Sequence, residues 1–150
     1  MPFALRSSAF ENGDSIPERF AQAGENVSPQ LAWENPPAGA KSFVLVVEDH
    51  DAPVGTVTHW VAFDIPAERR GLPQHATGMF AEGVNDMGHN RYDGPKPPKN
   101  HGPHRYHFRL TALDVESLDL ADGSPSNDIK KAARAHTLAE TTLIGTFETE

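Results

Sequence analysis

The segment KSFVLVVED, at positions 41–49, carries the clearest indication of how this chain folds. Its apolar side chains occupy both parities, which are Phe43, Leu45 and Val47 on one and Val44 and Val46 on the other. A strand that is apolar on both faces is typical of a sheet whose two faces are covered. The segment therefore predicts a central strand, and the last two residues of this strand are acids.

Other segments have the alternation or the β-branched composition of strands. The stronger ones are Thr58–Ile65, Arg105–Leu113 and Thr141–Phe147, and the weaker ones are Leu31–Trp33 and Ala4–Phe10. In the second strand, the alternation places four residues on one side, which are His59, Val61, Phe63 and Ile65. These segments predict five or six short strands around the central one.

One helix is indicated near the end of the chain. Ser126 is its expected N-cap, and an apolar face follows at helical spacing, formed by Ile129, Ala132, Ala133 and His136. Together the elements predict a mainly β fold, an antiparallel β-sandwich with one C-terminal helix, in a single domain over residues 1–150.

The composition bounds the function. The 150 residues are 37% hydrophobic and include no cysteine, which excludes disulfides and thiol chemistry. Thirteen basic and twenty-one acidic residues give a formal charge of −8, which argues against nucleic-acid binding because such binding needs a basic face. The apolar runs are too short for a transmembrane segment, and the N-terminal stretch has too few apolar residues for a signal peptide. We therefore expect a cytoplasmic protein.

Three predicted strands end their apolar face in an ionisable residue. The first strand continues into Asp49 and Asp51, the second begins at His59 and the third at His104. Because the connection between the first two strands is short, we expect an antiparallel hairpin that brings Asp49, Asp51 and His59 to one end of the sheet. His104 joins them if its strand also runs antiparallel to the first. Convergent polar groups at the edge of an apolar core are typical of a small-ligand pocket.

Several motifs in order carry a family resemblance. They are ENVSPQLAW (25–33), PAGAKSF (37–43), DHDAP (49–53), THW (58–60), YDGPKPP (92–98) and HRYHF (104–108). In this order and spacing the chain resembles the phosphatidylethanolamine-binding protein family, and within it the short prokaryotic, Raf kinase inhibitor-like branch. The resemblance runs from about Phe10 to Phe147.

The resemblance implies a large antiparallel sheet packed on a smaller one and a pocket for phosphate or the phosphatidylethanolamine head group, with no catalysis, metal or other cofactor. His59 and His104 would donate to the phosphate, and Tyr106 would act as a neutral donor. It also implies a cis Ala52–Pro53 bond and a possible homodimer. The implied ligand-binding residues are Asp49, Asp51, His59, Gly94, Pro95, His104 and Tyr106.

The sequence departs from the family pattern at His50, where the family usually has proline, so the aspartate loop is expected to be less rigid. Parity points His50 away from both aspartates. The run His101, His104 and His107 is not expected to converge, because His104 faces opposite to the other two in a strand. His75, His89 and His136 have no evident partners.

Two alternative functions stay open from the sequence. The family name records inhibition of kinases and proteases by some members, so a regulatory interaction protein is one alternative. A metal-assisted hydrolase that uses Asp49, Asp51, His59 and His104 as ligands is the other. Lys96, Lys99 and Arg105 either belong to a solvated loop or add local positive charge beside the mouth of the expected pocket, which would help to attract an anion.

Overall fold

The computed structural model describes residues 2–150, which form two antiparallel sheets, one α-helix and a short 3-10 helix at Glu18–Phe20. The predicted mainly β sandwich with one helix is confirmed. In chain order the elements are β1 (Ala4–Arg6), β2 (Leu31–Glu34), β3 (Ser42–Asp49), β4 (Val57–Pro66), β5 (Gly71–Leu72), β6 (Ala81–Glu82), β7 (His104–Leu113), α1 (Ser126–Arg134) and β8 (Thr137–Phe147).

Strand β3 is the centre of the larger sheet, whose strand order is β6-β4-β3-β7-β8. Every residue of β3 is buried, as its two apolar parities predict. The smaller sheet has the order β1-β2-β5. The strands β5 and β6 have only two residues each, too few for an alternating pattern to identify them from the sequence.

Two apolar clusters cover the two faces of the larger sheet. The inner cluster joins Phe43 and Phe108 of the larger sheet to Leu31 and Trp33 of the smaller one. The outer cluster contains Val44 and Val46 together with Ile129 of helix α1. Burying a large apolar side chain of this kind contributes roughly 1.5–3 kcal/mol, so both faces stabilise the sheet.

Strand β4 does not keep one parity along its length. Its pairing with β3 shifts register twice, once between Phe43 and Leu45 and once between Val47 and Glu48. As a result Val61 and Phe63 lie in the outer cluster while Ile65 lies in the inner one. The prediction that these residues share one face was therefore wrong, because each bulge adds a residue to β4 and reverses the alternation.

The aspartate loop after β3 also differs from the expectation. No peptide bond within residues 2–150 is cis, so the prediction of a cis Ala52–Pro53 bond was wrong. The Gly55 N–H donates to the Ala52 carbonyl at 3.0 Å, which closes a turn with Pro53 at its second position. Proline suits that position in the trans form because its φ matches the turn.

The helix begins at the predicted residue but is capped differently. Pro125 is the N-cap, and Ser126 is the first helical residue and donates its hydroxyl to the Val84 carbonyl. The prediction of a Ser126 cap was therefore wrong, because this hydroxyl anchors the helix to the loop after β6. Nowhere in residues 2–150 is a helix both long and apolar enough to cross a bilayer.

Candidate functional site

A cavity of about 350 Å³ lies where β3 ends and where β4 and β7 begin. Its volume is within the usual range for small-ligand pockets. Four sequence-predicted residues line it, at the ends of three neighbouring strands: Asp49, His59, His104 and Tyr106. Lys96, whose positive charge is evident from the sequence, lines it as well, and residues not predicted to bind the ligand complete the lining: Gln22, Ala52, Val57, Met87, Pro97 and Pro98.

Asp49 and His104 form a buried pair inside this site. His104 Nδ1 lies 2.7 Å from Asp49 Oδ2, and the two side chains are 2% and 5% exposed. The other carboxylate oxygen of Asp49 accepts the Asp51 N–H at 2.8 Å. Because a carboxylate accepts, the proton of this pair lies on Nδ1, which fixes the orientation of the His104 ring.

His59 reaches the cavity through the second bulge of β4. The pairs Val47 with Trp60 and Glu48 with Thr58 leave His59 as the extra residue between them. Its ring meets Tyr106 edge to face with centroids 5.3 Å apart. The sequence therefore predicted correctly that His59 lies near the other site residues, but for an incorrect reason, since strict alternation would have placed it on the same face as Val61.

The hydrogen bonds of His59 determine what its ring can do. Nδ1 lies 2.9 Å from the Asp93 carbonyl and 3.2 Å from the Gly94 carbonyl, so Nδ1 carries the proton that these acceptors need. Burial lowers the pKa of His59, although those carbonyls and the charge of Asp49 oppose the change. The neutral ring then presents Nε2 as an acceptor, and it donates to an anion only after it takes up a second proton.

Tyr106 has the clearest unmet requirement in the site. Its hydroxyl is buried and has no hydrogen-bond partner within the part of the chain that the structure describes. Burial raises the pKa of Tyr106, and the negative charge of Asp49 raises it further. The hydroxyl therefore stays protonated. The Asp49 carboxylate and the Lys96 N–H lie near enough to influence its pKa, but no acceptor among the described residues meets hydrogen-bond geometry, which is rare for a buried hydroxyl.

The loop that holds His59 is built around a buried carboxylate. Asp93 accepts hydrogen bonds from Asn26 at 3.2 Å, Asn85 at 2.8 Å and His89 at 2.7 Å. The Gly94 N–H donates to Asn26 Oδ1 at 2.7 Å. The motifs ENVSPQLAW and YDGPKPP therefore contact each other. The expectation that His89 has no partner was wrong.

Gly94 and Pro95 form the wall behind His59 and do not line the cavity itself. A Cβ on Gly94 would lie 1.9 Å from the Phe20 carbonyl oxygen, so only glycine fits there without a backbone shift. Pro95 is buried, and its carbonyl accepts the Gln22 N–H at 3.1 Å. The two residues therefore position the carbonyls that hold His59.

Asp51 lies outside the cavity, in contrast to its predicted place among the ligand-binding residues. Its carboxylate accepts from Arg105 Nη2 at 2.9 Å, from Arg105 Nε at 3.1 Å and from the Arg105 N–H at 2.8 Å. These hydrogen bonds, more than anything else, hold the pKa of Asp51 well below its usual range. Parity failed here because the chain turns after Asp49 and does not continue as a strand.

His101 and His104 converge, although alternation predicted that they would not. His101 Nδ1 lies 2.6 Å from His104 Nε2. The bend that this contact requires is present, because Asn100 and Gly102 both have positive φ, at 66° and 81°. His101 is exposed, as predicted. The spacing of the histidines did not indicate that the turn folds the His101 ring back onto His104.

A larger cavity of about 560 Å³ lies on the opposite face of the sheet, beside helix α1. Its buried acid, Glu48, is satisfied by Lys130 and Arg109, each at 2.7 Å. His50 stacks on His107 there with centroids 4.0 Å apart, so His50 does point away from the aspartates. Because these groups satisfy one another, the smaller cavity with the unpaired Tyr106 hydroxyl is the better candidate for a ligand site.

Metal ligation has little support in this geometry. No three histidine, aspartate or glutamate side chains within residues 2–150 are grouped as a metal ion would need. Asp51, one of the four ligands considered from the sequence, is bound to Arg105. His136 also has a partner, contrary to the expectation from the sequence, since its Nδ1 lies 2.9 Å from Asp114 Oδ1.

The arrangement defines a class of protein: an antiparallel two-sheet fold with an Asp-His-His-Tyr pocket at its strand ends. A sequence profile described as phosphatidylethanolamine-binding protein matches residues 6–148. The chain belongs to the phosphatidylethanolamine-binding protein family, which confirms the resemblance seen in its motifs.

Known relatives agree with this assignment. A UPF0098 protein of Aquifex aeolicus is 42% identical over 147 residues, which cover 95% of this chain and 86% of that protein. The UPF0098 protein YbhB of Escherichia coli is 38% identical over 156 aligned positions, covering 95% of this chain and 98% of that protein.

Two solved structures have the same fold. Escherichia coli YbcL, described as a member of the mammalian PEBP family, superposes with a TM-score of 0.94 at 28% identity and full coverage of both chains. A Chlamydia trachomatis protein described as a PEBP homologue has a TM-score of 0.91 at 33% identity, over 99% of this chain and 98% of that one.

Proposed function

We propose that this protein binds a small phosphate-bearing molecule, of the type of the phosphatidylethanolamine head group, in the cavity at Asp49, His59, His104 and Tyr106, without catalysing a reaction. Membership of a family described as phosphatidylethanolamine-binding supports a ligand-binding role. The observation that carries the proposal is the buried Tyr106 hydroxyl, which lacks an acceptor. A ligand oxygen would supply that acceptor.

The anionic end of such a ligand matches the donors in the cavity. Tyr106 offers its hydroxyl, and Lys96 adds positive charge to the lining. The neutral His59 ring accepts a hydrogen bond from a singly protonated phosphate, or donates one once it is itself protonated. Charge-assisted hydrogen bonds of this kind are the strong ones, so a few of them suffice to orient the phosphate.

The remaining lining favours a zwitterion over a bare anion. The Asp49 carboxylate repels a phosphate but attracts an ammonium group. Ala52, Val57 and Pro97 provide apolar walls for the carbons between the two charged groups. Phosphorylethanolamine carries both charges and a two-carbon link, and therefore matches the two kinds of lining.

A non-catalytic role is consistent with the protonation states in the site. The hydroxyl of Tyr106 keeps its proton and is a weak nucleophile in that form. His104 is held by Asp49 on one ring nitrogen and contacts His101 on the other, so no free base faces the cavity from that side.

Calorimetric titration tests the proposal. Phosphorylethanolamine, inorganic phosphate and ethanolamine would each be added to chelator-treated protein and to its Tyr106→Phe variant. We expect saturable binding that is tightest for phosphorylethanolamine and is weakened in the variant. Binding that is equal in both proteins would place the ligand elsewhere, and no binding of any of the three would remove this ligand class.

Other measurements address the remaining predictions. A complex with a kinase or protease that survives Tyr106→Phe would favour the regulatory alternative, and turnover that needs a divalent ion would favour the hydrolase. The cytoplasmic location and the homodimer stay predictions, which fractionation and light scattering would test.

A further inference from the structure

The loop before β7 places a histidine against the candidate site that the proposed function does not use. His101 Nδ1 lies 2.6 Å from His104 Nε2, and the two rings meet edge to face with centroids 4.8 Å apart. His104 is 1% exposed, and Asp49 holds its Nδ1 at 2.7 Å. Nε2 is therefore the ring nitrogen of His104 that a ligand would have to use.

We propose that His101 is an internal competitor of the ligand: its ring occupies the hydrogen-bonding position on His104 that a phosphate oxygen would take, and anion binding displaces it. This inference rests on the proposed function, because it concerns His104, which lines the candidate cavity and separates it from the neighbouring cavity that His101 lines. His101 is then the residue that limits the affinity of the site for the anion.

The competition does not depend on which ring carries the shared proton. Either His101 donates its Nδ1–H to His104 Nε2, or a protonated His104 donates its Nε2–H to His101. Both arrangements occupy Nε2. An unprotonated phosphate oxygen accepts from a protonated His104, and a P–OH group donates to the neutral ring; in both cases the His101 ring must have moved away from Nε2.

The displacement requires little rearrangement. His101 is exposed, and the described residues offer its side chain no hydrogen-bond partner besides His104. Its backbone N–H donates to the Pro98 carbonyl at 3.2 Å, so the turn can persist while the ring rotates. A second cavity, of about 410 Å³, lies on this side of His104 and is lined in part by His101 and Thr146. This cavity leaves room for the ring to rotate.

The test compares inorganic phosphate binding to the wild type and to His101→Ala by calorimetry at one fixed pH. We expect the variant to bind roughly two- to tenfold more tightly, the range that losing one ordinary competing hydrogen bond corresponds to. His136→Ala is the control, because it removes a half-buried histidine, paired with Asp114, at the far end of β7 and β8. Its affinity should equal that of the wild type.

Nitrogen NMR of the imidazoles gives a second readout. Saturating phosphate should move the His101 ring resonances of the wild type to the positions of a solvated imidazole. In the absence of phosphate, His101→Ala should shift the Nε2 resonance of His104.

The outcomes separate this inference from the proposed function. Unchanged or weaker binding by His101→Ala, or His101 resonances that do not move at saturation, would overturn the competition while leaving the phosphate site in place. The absence of phosphate binding by both proteins would overturn the competition, and the proposed function falls as well only if phosphorylethanolamine also fails to bind.

Discussion

Glu48 and Asp49 are consecutive residues of β3, and their carboxylates lie on opposite faces of the larger sheet. Both residues are almost fully buried, at 5% and 3% exposure. Glu48 meets Lys130 and Arg109 beneath helix α1, whereas Asp49 meets His104 in the candidate site. Because successive side chains of a strand point to opposite faces, one strand end serves a structural cluster and a pocket at once. Each role can therefore be tested without the other.

The substitution Glu48→Gln should destabilise the fold and leave phosphate binding unchanged. The variant removes one partner of a buried ion cluster and leaves Lys130, whose side chain is 11% exposed, without its counter-charge. Breaking such a pair costs on the order of 3 kcal/mol. Urea unfolding measures the loss, and Glu140→Gln is the control because Glu140 reaches the same Arg109 but is 52% exposed. Equal effects of the two substitutions would contradict the prediction.

The same cluster should make the fold sensitive to acid. Burial alone would raise the pKa of Glu48, but the hydrogen bond from Lys130 and the charge of Arg109 outweigh it and lower the pKa from 4.5 to about 2. The unfolded chain therefore takes up this proton first, and stability present above pH 4.5 is lost as the pH falls towards 2. Glu48→Gln should show a shallower loss in this window by circular dichroism.

Tyr106→Phe and Tyr92→Phe should have opposite profiles. Both tyrosines are buried, but the Tyr92 hydroxyl donates to the Phe20 carbonyl at 2.7 Å while that of Tyr106 has no partner in the described chain. Tyr92→Phe should cost about 1 kcal/mol of stability and leave phosphate affinity unchanged. Tyr106→Phe should leave stability within about 0.5 kcal/mol and weaken phosphate binding by roughly tenfold or more. A stability loss at Tyr106 with unaltered binding would refute the assigned role.

His59 should make the fold less stable below neutral pH. Burial, the largest influence, lowers the pKa of this ring below its ordinary 6.5, so the folded chain binds this proton less readily than the unfolded chain. Stability contributed by the neutral ring is complete above pH 6.5 and declines as the pH falls below it.

His59→Asn isolates this contribution. Burial also lowers the pKa of His107, which adds a dependence of the same sign that the variant retains. The slope of the urea midpoint against pH should therefore become smaller in His59→Asn without vanishing. An unchanged slope would show that His59 titrates normally in the folded protein.

The two predicted aspartates should differ in their effect on the site. Asp51 binds Arg105 outside the cavity, and Asp49 holds His104 within it. Asp51→Asn should change phosphate affinity by less than about twofold, as expected of a pair at the solvent-exposed rim. Asp49→Asn should change the affinity by more than this, because it removes the charge that orients His104. Calorimetry of both variants decides, and a larger effect at Asp51 would return that residue to the binding site.

Much of the architecture follows from local pattern. The two apolar parities of residues 41–49 predicted a covered central strand, and that strand is β3. Alternation also placed Asp49 and His104 at the ends of the apolar faces of their strands, and Asp49 pairs with Tyr106 in the ladder between β3 and β7. These predictions were right because the strands β3 and β7 pair without a register shift along their whole length.

The errors lie where the backbone leaves regular geometry. The extra residues of β4 reversed its alternation, the turn at Asn100–Gly102 brought His101 onto His104, and the chain turned away before Asp51. A bulge or a turn depends on which strands pair and on single φ values, and residue type only weakly indicates either.

The sequence by itself determined the sandwich, the central strand and the set of polar residues that end its neighbours, because hydrophobic alternation is a local property that burial enforces. Only the tertiary structure decided which of those residues share the cavity. It left Tyr106 without an acceptor, gave Asp51 to Arg105 and set His101 against His104. These relationships join side chains through distances that depend on register and loop path, and no pattern along the chain specifies them.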